Sequence, residues 1–348
     1  METVEVDGSF GEGGGQILRT AVTFSIALHR PIHVTKIRSG REVPGLRQQH
    51  ASVLEILRDI SGAELKGCRL GSTEVSFVPG TGRGGSFSFD LKTAASITLV
   101  LQAVVPAVAL SGLELSLDLI GGTDVPLSPT FDYFSTVLRH GFGTVGINFT
   151  AKASSRGYYP RGGGRVTAEV EKCGTLRHLT MLEQGPKSEV TLISRCGKLP
   201  EHIARRQLDS AADTLASKGV RVGERIISQE PSASPGSSVL ICDLQNGRVV
   251  GSDAIGARGK RVEQVGAEAA EGFADAVAGG ACVDSHLADM IAPVLALAKN
   301  ESRLMIPGST THLETNLHVA KIFTGCNYHI DVKGASSKLT ITPGENAR

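Results

Sequence analysis

The chain has 348 residues, 41% of them hydrophobic and 20% charged, enough to bury a sizeable core and to spread over about two domains. Its 36 basic and 35 acidic residues nearly cancel, which excludes a polyelectrolyte tail and leaves any nucleic-acid contact to a local patch. With no Trp and four Tyr, platforms for stacked bases are scarce, so recognition of a nucleic acid is expected to lean on phosphate and sugar.

The opening "METVEVDGSFG" alternates like a strand and lacks the basic start and apolar centre of a secretory signal. Periodicity and bounding Gly or Pro then predict a helix over 16–28, a strand at "IHVTKIR", a helix over 46–60, and strands at "AELKGCRLG" and "TEVSFVPG". A similar order returns with the strand "SFSFDL", a helix over 94–110, the strand "LELSLDLIGG", a helix over 130–140, and strands near "TVGINFTAKA" and "GRVTAEVEK". The longest apolar run, "ITLVLQAVVPAVALSGLEL", is broken by Gln102, Pro106 and Ser111 and reads as a buried helix, not a membrane span.

From about 186 to 278 the pattern changes to a small α/β module with a helix over 201–218, and with "SQEPSASPGSS" as a surface loop. The earlier order then resumes in part: a helix over 284–298, the strand "SRLMIP", a helix over 313–323, and strands "NYHIDVK" and "SKLTITP". The expected architecture is α/β (α+β): a large domain of three related units at 1–185 and 279–348, interrupted by a small inserted domain at 186–278. Six cysteines (68, 173, 196, 242, 282 and 326) have no paired spacing, so neither a zinc site nor a disulfide framework is expected, and a reducing cytoplasm is the expected location.

Chemistry concentrates in three stretches. "GEGGGQILR" is glycine-rich at a helix start, where unpaired N–H groups suit an anion, yet it matches neither a Walker loop nor a dinucleotide fingerprint. Gln16 and Arg19 follow on one helical face; Glu12 would only repel a bare phosphate, and is useful if a divalent cation stands between the two. "KIRSGREVPGLRQQH" sets Lys36, Arg38, Arg41 and Arg47 against one acid, Glu42, either as a phosphate cradle or as a solvated turn. "PGTGRGGSF" and "YYPRGGGRV" repeat the glycine-arginine theme, but stand before strands and read first as turns. In "GSTTHLETNLHVAKIF", His312 opens a helix behind hydroxyl capping residues. His318, six residues on, does not share its face, so a metal pair is not expected and His312 is either structural or a nucleophile.

Taken together, "GEGGGQILRTA", "IRSGREVPGLRQQH", "GGTDVPLSPTFDY", "YYPRGGG" and "THLETNLHVAKIF", in this order, resemble the RNA 3′-terminal phosphate cyclases over essentially the whole chain. The resemblance implies three βαβαββ repeats similar to the C-terminal domain of translation initiation factor 3, with an inserted α/β domain. It also implies ATP and a divalent metal, magnesium or manganese, used to turn an RNA 3′-terminal phosphate into a 2′,3′-cyclic phosphodiester. His312 then matches the adenylated histidine, and Glu12 the metal-holding acid. Arg19, Arg38, Arg41 and Gln49 match the RNA-phosphate pocket; Gln102 and His286, Leu287, Ala288, Asp289 and Met290 match the adenine-nucleotide site. At "HLADM" the family often has an aromatic first and glutamine last, where this chain has His286 and Met290. The alternative is a noncatalytic cyclase-like ribosome-assembly factor, which shares the fold but lacks the histidine.

Overall fold

Alternation of Val4 and Val6 with Glu5 and Asp7 makes a strand with one buried face, β1 (Val4–Asp7). A computed structural model describes residues 2–186 and 188–345. β1 is followed by α1 (Gly15–Leu28), β2 (Ile32–Thr35), α2 (Gln48–Ser61), β3 (Glu64–Lys66) and β4 (Val75–Val78). The strands form a sheet in the order β1-β2-β4-β3, with β1 parallel to β2 and the other pairs antiparallel. A parallel pair needs a crossover, which α1 supplies. The two helices bury matching stripes, with His50, Val53, Leu54 and Leu57 on α2 inside.

The same logic recurs. β5 (Gly85–Asp90), α3 (Ile97–Leu110), β6 (Leu115–Gly121), α4 (Phe131–Tyr133), α5 (Arg139–Thr144), β7 (Phe149–Ser155) and β8 (Gly164–Val170) give a sheet ordered β5-β6-β8-β7. A π-helical turn at Phe134–Leu138 joins α4 to α5, so the predicted single helix extends to Thr144 with a change of winding. α3 is apolar on nearly every side and only Gln102 and Leu99 escape full burial, as a central helix requires. Among the described residues no helix is long and apolar enough to cross a membrane.

Next come β9 (Thr180–Met181), β10 (Val190–Gly197), α6 (His202–Ser217), β11 (Val222–Gln229), β12 (Gly236–Asp243), β13 (Val250–Ile255) and α7 (Val262–Ala278). β10 to β13 form a sheet of their own, ordered β11-β10-β12-β13. Its core, from Val190 to Phe273, forms a cluster separate from the main one. The chain closes with α8 (Ser285–Leu295), β14 (Ser302–Ile306), α9 (Thr311–Thr324), β15 (Asn327–Lys333) and β16 (Ser336–Thr342). Here the order is β15-β16-β14-β9, with β9 parallel to β14.

Three elements differ from expectation. β9 has two residues, too short for any periodic signal. α7, "VEQVGAEAAEGFADAVA", carries its buried stripe mainly on alanines and was not anticipated. "SQEPSASPGSS" is not simply a surface loop: Ser228 and Gln229 end β11, Ser234 is buried, and Gly236 opens β12. At the centre, α1 packs against α2, α3 and α9, and α8 against α9. That places the starts of α1, α2 and α9 side by side.

Candidate active site

Glycine 11 explains the shape of the first loop. Its φ of 65° lies in the left-handed region, and a Cβ there would overlap the Thr315 hydroxyl on α9, so only glycine fits. Beside it Phe10 stacks on His318, with ring centroids 3.7 Å apart and planes within 9°. The loop is thus clamped against α9, and Glu12 is delivered between a guanidinium and an imidazole. Its Oε2 accepts from Arg41 at 2.5 Å, and its Oε1 lies 3.1 Å from His312 Nε2.

His312 is the second residue of α9. Thr310 caps this helix, its Oγ1 accepting from the Leu313 N–H at 2.9 Å, while the same hydroxyl donates to Asp289 at 2.6 Å. Asp289 also accepts through its backbone carbonyl from the Asn316 amide at 2.5 Å. The α8 segment therefore fixes where His312 points. Burial, together with Arg19, His286 and Arg41, holds the His312 imidazole below its usual range, although Glu12 pulls the other way. The ring is neutral near pH 7, as a nitrogen nucleophile must be. His318 stacks on Phe10 instead of facing Glu12. Among the described residues no three His, Cys, Asp or Glu side chains converge as a protein-only metal site.

The basic residues divide into fixed and available groups. Arg38 donates to the carbonyls of Val43 at 2.7 Å and Gly45 at 3.1 Å, so it shapes its own loop. Arg41 is committed to Glu12. Gln49 uses both ends of its amide on the backbone of Ser96, at 3.1 and 2.6 Å, which ties the start of α2 to the start of α3. Arg19 and Arg47 have no ion pair among the described residues, and burial pulls Arg19 down to about 10.

His50 is the residue that sequence reasoning missed. Its Nδ1 accepts from the Arg47 N–H at 3.2 Å, and Nε2 faces Gly15, where a Cβ would overlap it. Burial first, then Arg19, Arg38 and Arg47, push its pKa down to about 3. A signal was present: His50 lies on the apolar stripe of α2, where a polar residue requires a reason. The α1 N-terminus beside it has no side-chain cap and no acid in its first turn. Unpaired N–H groups, Arg19, Arg47 and a neutral imidazole together make an anion site.

A cleft between α1, α3, α8 and α9 adjoins it, lined by Gln16, Arg19, Gln102, Asp289, Met290 and Asn316 among others. Gln102 Nε2 is buried there without a partner among the described residues, a donor waiting for an acceptor. The rest of the "HLADM" segment separates. Leu287 and Ala288 are wholly buried, Leu287 against Gly141, so their side chains do not face the cleft. His286 is exposed and stands edge-on to Tyr133, with centroids 6.0 Å apart. The Tyr133 hydroxyl donates to Asp284 at 2.7 Å, and Asp284 caps α8 through Leu287 N–H at 3.0 Å and accepts from Gly251 N–H at 2.8 Å. Neither Tyr133 nor Asp284 was anticipated, because their partners come from distant parts of the chain.

Burial raises Asp289 from 3.8 to about 7, against the stabilising bond from Thr310. A carboxyl raised in the folded state binds a proton that the unfolded chain has released. Its favourable contribution is therefore complete below about pH 4 and is lost as pH climbs through about 7. Asp289→Asn keeps an acceptor for Thr310 and does not titrate. It should be more stable than the parent at pH 8 by up to about 4 kcal/mol, with the gap closing toward pH 4 in denaturant titrations. A gap that does not change with pH would mean that Asp289 is ionised throughout.

Comparison with known proteins adds the chemistry that such sites serve elsewhere. A family model described as RNA 3′-terminal phosphate cyclase matches residues 10–330. An RNA 3′-terminal phosphate cyclase of Caldivirga maquilingensis is 39% identical over 347 residues, covering 98% of each chain. That of Staphylothermus marinus is 42% identical over 330 residues, 93% of this chain and 92% of its own. The protein of the same description from Methanopyrus kandleri is 37% identical over 350 residues, 99% of both.

Proposed function

The chain belongs to the RNA 3′-terminal phosphate cyclase family, a family of ligase-type enzymes, and from that premise we propose that it converts an RNA 3′-terminal phosphate to a 2′,3′-cyclic phosphodiester at the expense of ATP. The observation that carries the reading is the placement of a neutral His312 imidazole against Glu12 beside a cluster of arginines. In the first step the imidazole attacks the α-phosphorus of ATP, the bond to diphosphate breaks, and the imidazole proton leaves. The Nε2–H facing Glu12 places an acceptor for that proton at 3.1 Å.

Next an oxygen of the RNA 3′-phosphate attacks the same phosphorus and expels the histidine, giving an RNA-(3′)pp(5′)A intermediate. The neighbouring 2′-OH then attacks the 3′-phosphate, loses its proton and releases AMP. Held vicinal to its target, that hydroxyl has a high effective concentration, and Arg19, Arg41 and Arg47 neutralise the developing charge. Arg38 and Gln49 act by holding the loop and the α2 start in place. Gln102 offers its unpaired amide to an acceptor on adenine, with Asp289 and Met290 lining the cleft, His286 at its rim, and Leu287 and Ala288 supporting from the core.

The residues suit a divalent cation of the magnesium or manganese type, which commonly takes one or two carboxylates and completes its shell from nucleotide phosphates and water. Glu12 would hold it, and when bound it supplies charge neutralisation at the ATP phosphates. The recurrence of one strand order in three sheets supports three βαβαββ repeats similar to the C-terminal domain of initiation factor 3. The separate sheet and core of β10 to β13 support an inserted domain at 186–278, with 1–185 and 279–348 as the large domain. A cytoplasmic location goes with an RNA substrate and six unpaired cysteines.

Two arginine variants test the division of labour. Arg47→Ala should raise the KM for 3′-phosphorylated RNA about tenfold, the scale of one lost charge-assisted contact, and leave self-adenylation unchanged. Arg41→Ala should slow both steps, because Arg41 also holds Glu12. Equal loss in both steps from Arg47→Ala would assign it to ATP.

A further inference from the structure

Among the described residues, Tyr159 is an exposed aromatic ring with no stacking partner. Of the exposed aromatics, Phe10 is stacked on His318, whereas Tyr159 is 64% exposed and among the described residues stacks on nothing. It sits in a loop, 157–163, that runs beside a second loop, 124–130, from the parallel bridge between Asp124 and Tyr158. Leu127, on the second loop, is 99% exposed and held at a φ of 63°. A free-standing apolar side chain and a free-standing ring on adjacent loops leave apolar surface in water with no burial to offset it.

These loops continue the anion site. A Cβ on Gly162 would lie 2.7 Å from the Thr93 carbonyl, so the tyrosine loop rests on the segment that leads into α3. Three residues further on, Ser96 is the group that Gln49 grips at the start of α2. On the other side, Thr98 donates to the Pro129 carbonyl at 2.9 Å, joining loop 124–130 to the same helix start. The rim is basic. Lys92, Arg161 and Lys198 form no ion pair among the described residues, and the last two converge on the Ala233 carbonyl at 3.4 and 3.0 Å.

We propose that this rim binds the single-stranded RNA that precedes the 3′-terminal phosphate, with a base stacked on Tyr159 and the backbone tracking Lys92, Arg161 and Lys198. An unpaired ring flanked by uncompensated cations, continuous with a phosphate pocket, is what a sequence-tolerant single-strand site requires. The inference rests on the proposed cyclase reaction for its substrate, and adds where the body of that substrate lies. It also adds one stacked base to the expectation from composition that recognition leans on phosphate and sugar.

The test measures binding of a short 3′-phosphorylated oligoribonucleotide by fluorescence anisotropy, with enzyme-AMP formation as an independent readout. Tyr159→Ala should weaken RNA binding about tenfold, Tyr159→Phe should restore it, and all three proteins should self-adenylate equally. Arg161→Gln should weaken binding and flatten its salt dependence. Against RNA carrying abasic riboses upstream of its end, the Tyr159→Ala defect should vanish. Parent-like RNA binding by both Tyr159→Ala and Arg161→Gln would overturn the proposal and leave the ring and Leu127 to a protein partner. Absence of enzyme-AMP in the parent protein would count against the reaction alone, since the binding comparison still decides the surface.

Discussion

Replacing His312 by alanine should lower formation of the covalent enzyme-AMP adduct by at least about a thousandfold, the scale on which loss of a nucleophile is felt. The side chain is half-exposed at the first turn of α9 and its polar contact among the described residues is with Glu12, so its removal leaves the fold in place. The helix cap is Thr310, not His312. Circular dichroism and the denaturation midpoint of the variant should therefore match the parent. Retained labelling with ATP carrying a labelled α-phosphate would move the nucleophile elsewhere. The assignment is specific because His318, the other histidine on this helix, is stacked against Phe10, and His50 is hydrogen-bonded at Nδ1 and hemmed in by Gly15.

Arg156→Ala should cost about 3–5 kcal/mol of stability, the penalty of leaving buried carboxylates without their counter-ion. Arg156 is 2% exposed. Its guanidinium reaches Asp124 at 3.3 Å, Asp132 at 3.0 Å and Glu230 at 2.6 Å, and Arg195 approaches the last two from the other side at 3.5 and 3.3 Å. Burial works against the Arg156 charge, but the three carboxylates more than offset it and hold the group protonated. The cluster joins loop 124–130, α4 and the residue just past β7 to Arg195 on β10 and Glu230 just past β11, so it fastens the proposed inserted domain to the rest.

The loss should depend on pH. Burial already raises Asp124 in the parent, and without Arg156 the neighbouring carboxyls rise as well. Groups raised in the folded state stabilise it at low pH and cease to as pH climbs. The defect should therefore be smaller at pH 5 than at pH 8, read as the difference in urea midpoints between variant and parent. A defect that is the same at both values would mean that lost packing, not uncompensated charge, is what the variant suffers.

Much of this site is legible along the chain, and the reason is locality. A glycine run before a helix, arginines within ten residues of one another, and a histidine behind capping hydroxyls are all signals carried by neighbours in sequence. Helices α1, α3 and α9 likewise announce themselves through apolar spacing. What the sequence hides is which groups are already occupied. Gln49 looks like a free amide until Ser96, 47 residues away, is seen to take both of its ends. Arg38 looks like a wholly free guanidinium, yet one of its nitrogens braces its own loop at Val43 and Gly45. Leu287 and Ala288 stand in a nucleotide-site motif, yet point into the core.

The hidden contributors are hidden for the same physical reason. Asp284 and Tyr133 meet across 151 positions, and β9 is recognisable as a strand only because β14 pairs with it. Tyr159 gives no signal along the chain, because a glycine-arginine turn has a sufficient local explanation. Only its exposure without a partner raises the question of what covers it.

The most direct test of the central claim is a single-turnover chase. The protein is charged with α-labelled ATP in magnesium or manganese, freed of nucleotide, and mixed with RNA bearing a 3′-phosphate. The predicted result is a labelled protein band absent in His312→Ala, whose label passes through RNA-linked AMP to free AMP as the RNA 3′-phosphate becomes resistant to phosphatase. A folded protein that binds the RNA but takes no label, and leaves the 3′-phosphate sensitive, would contradict the account and favour a noncatalytic relative.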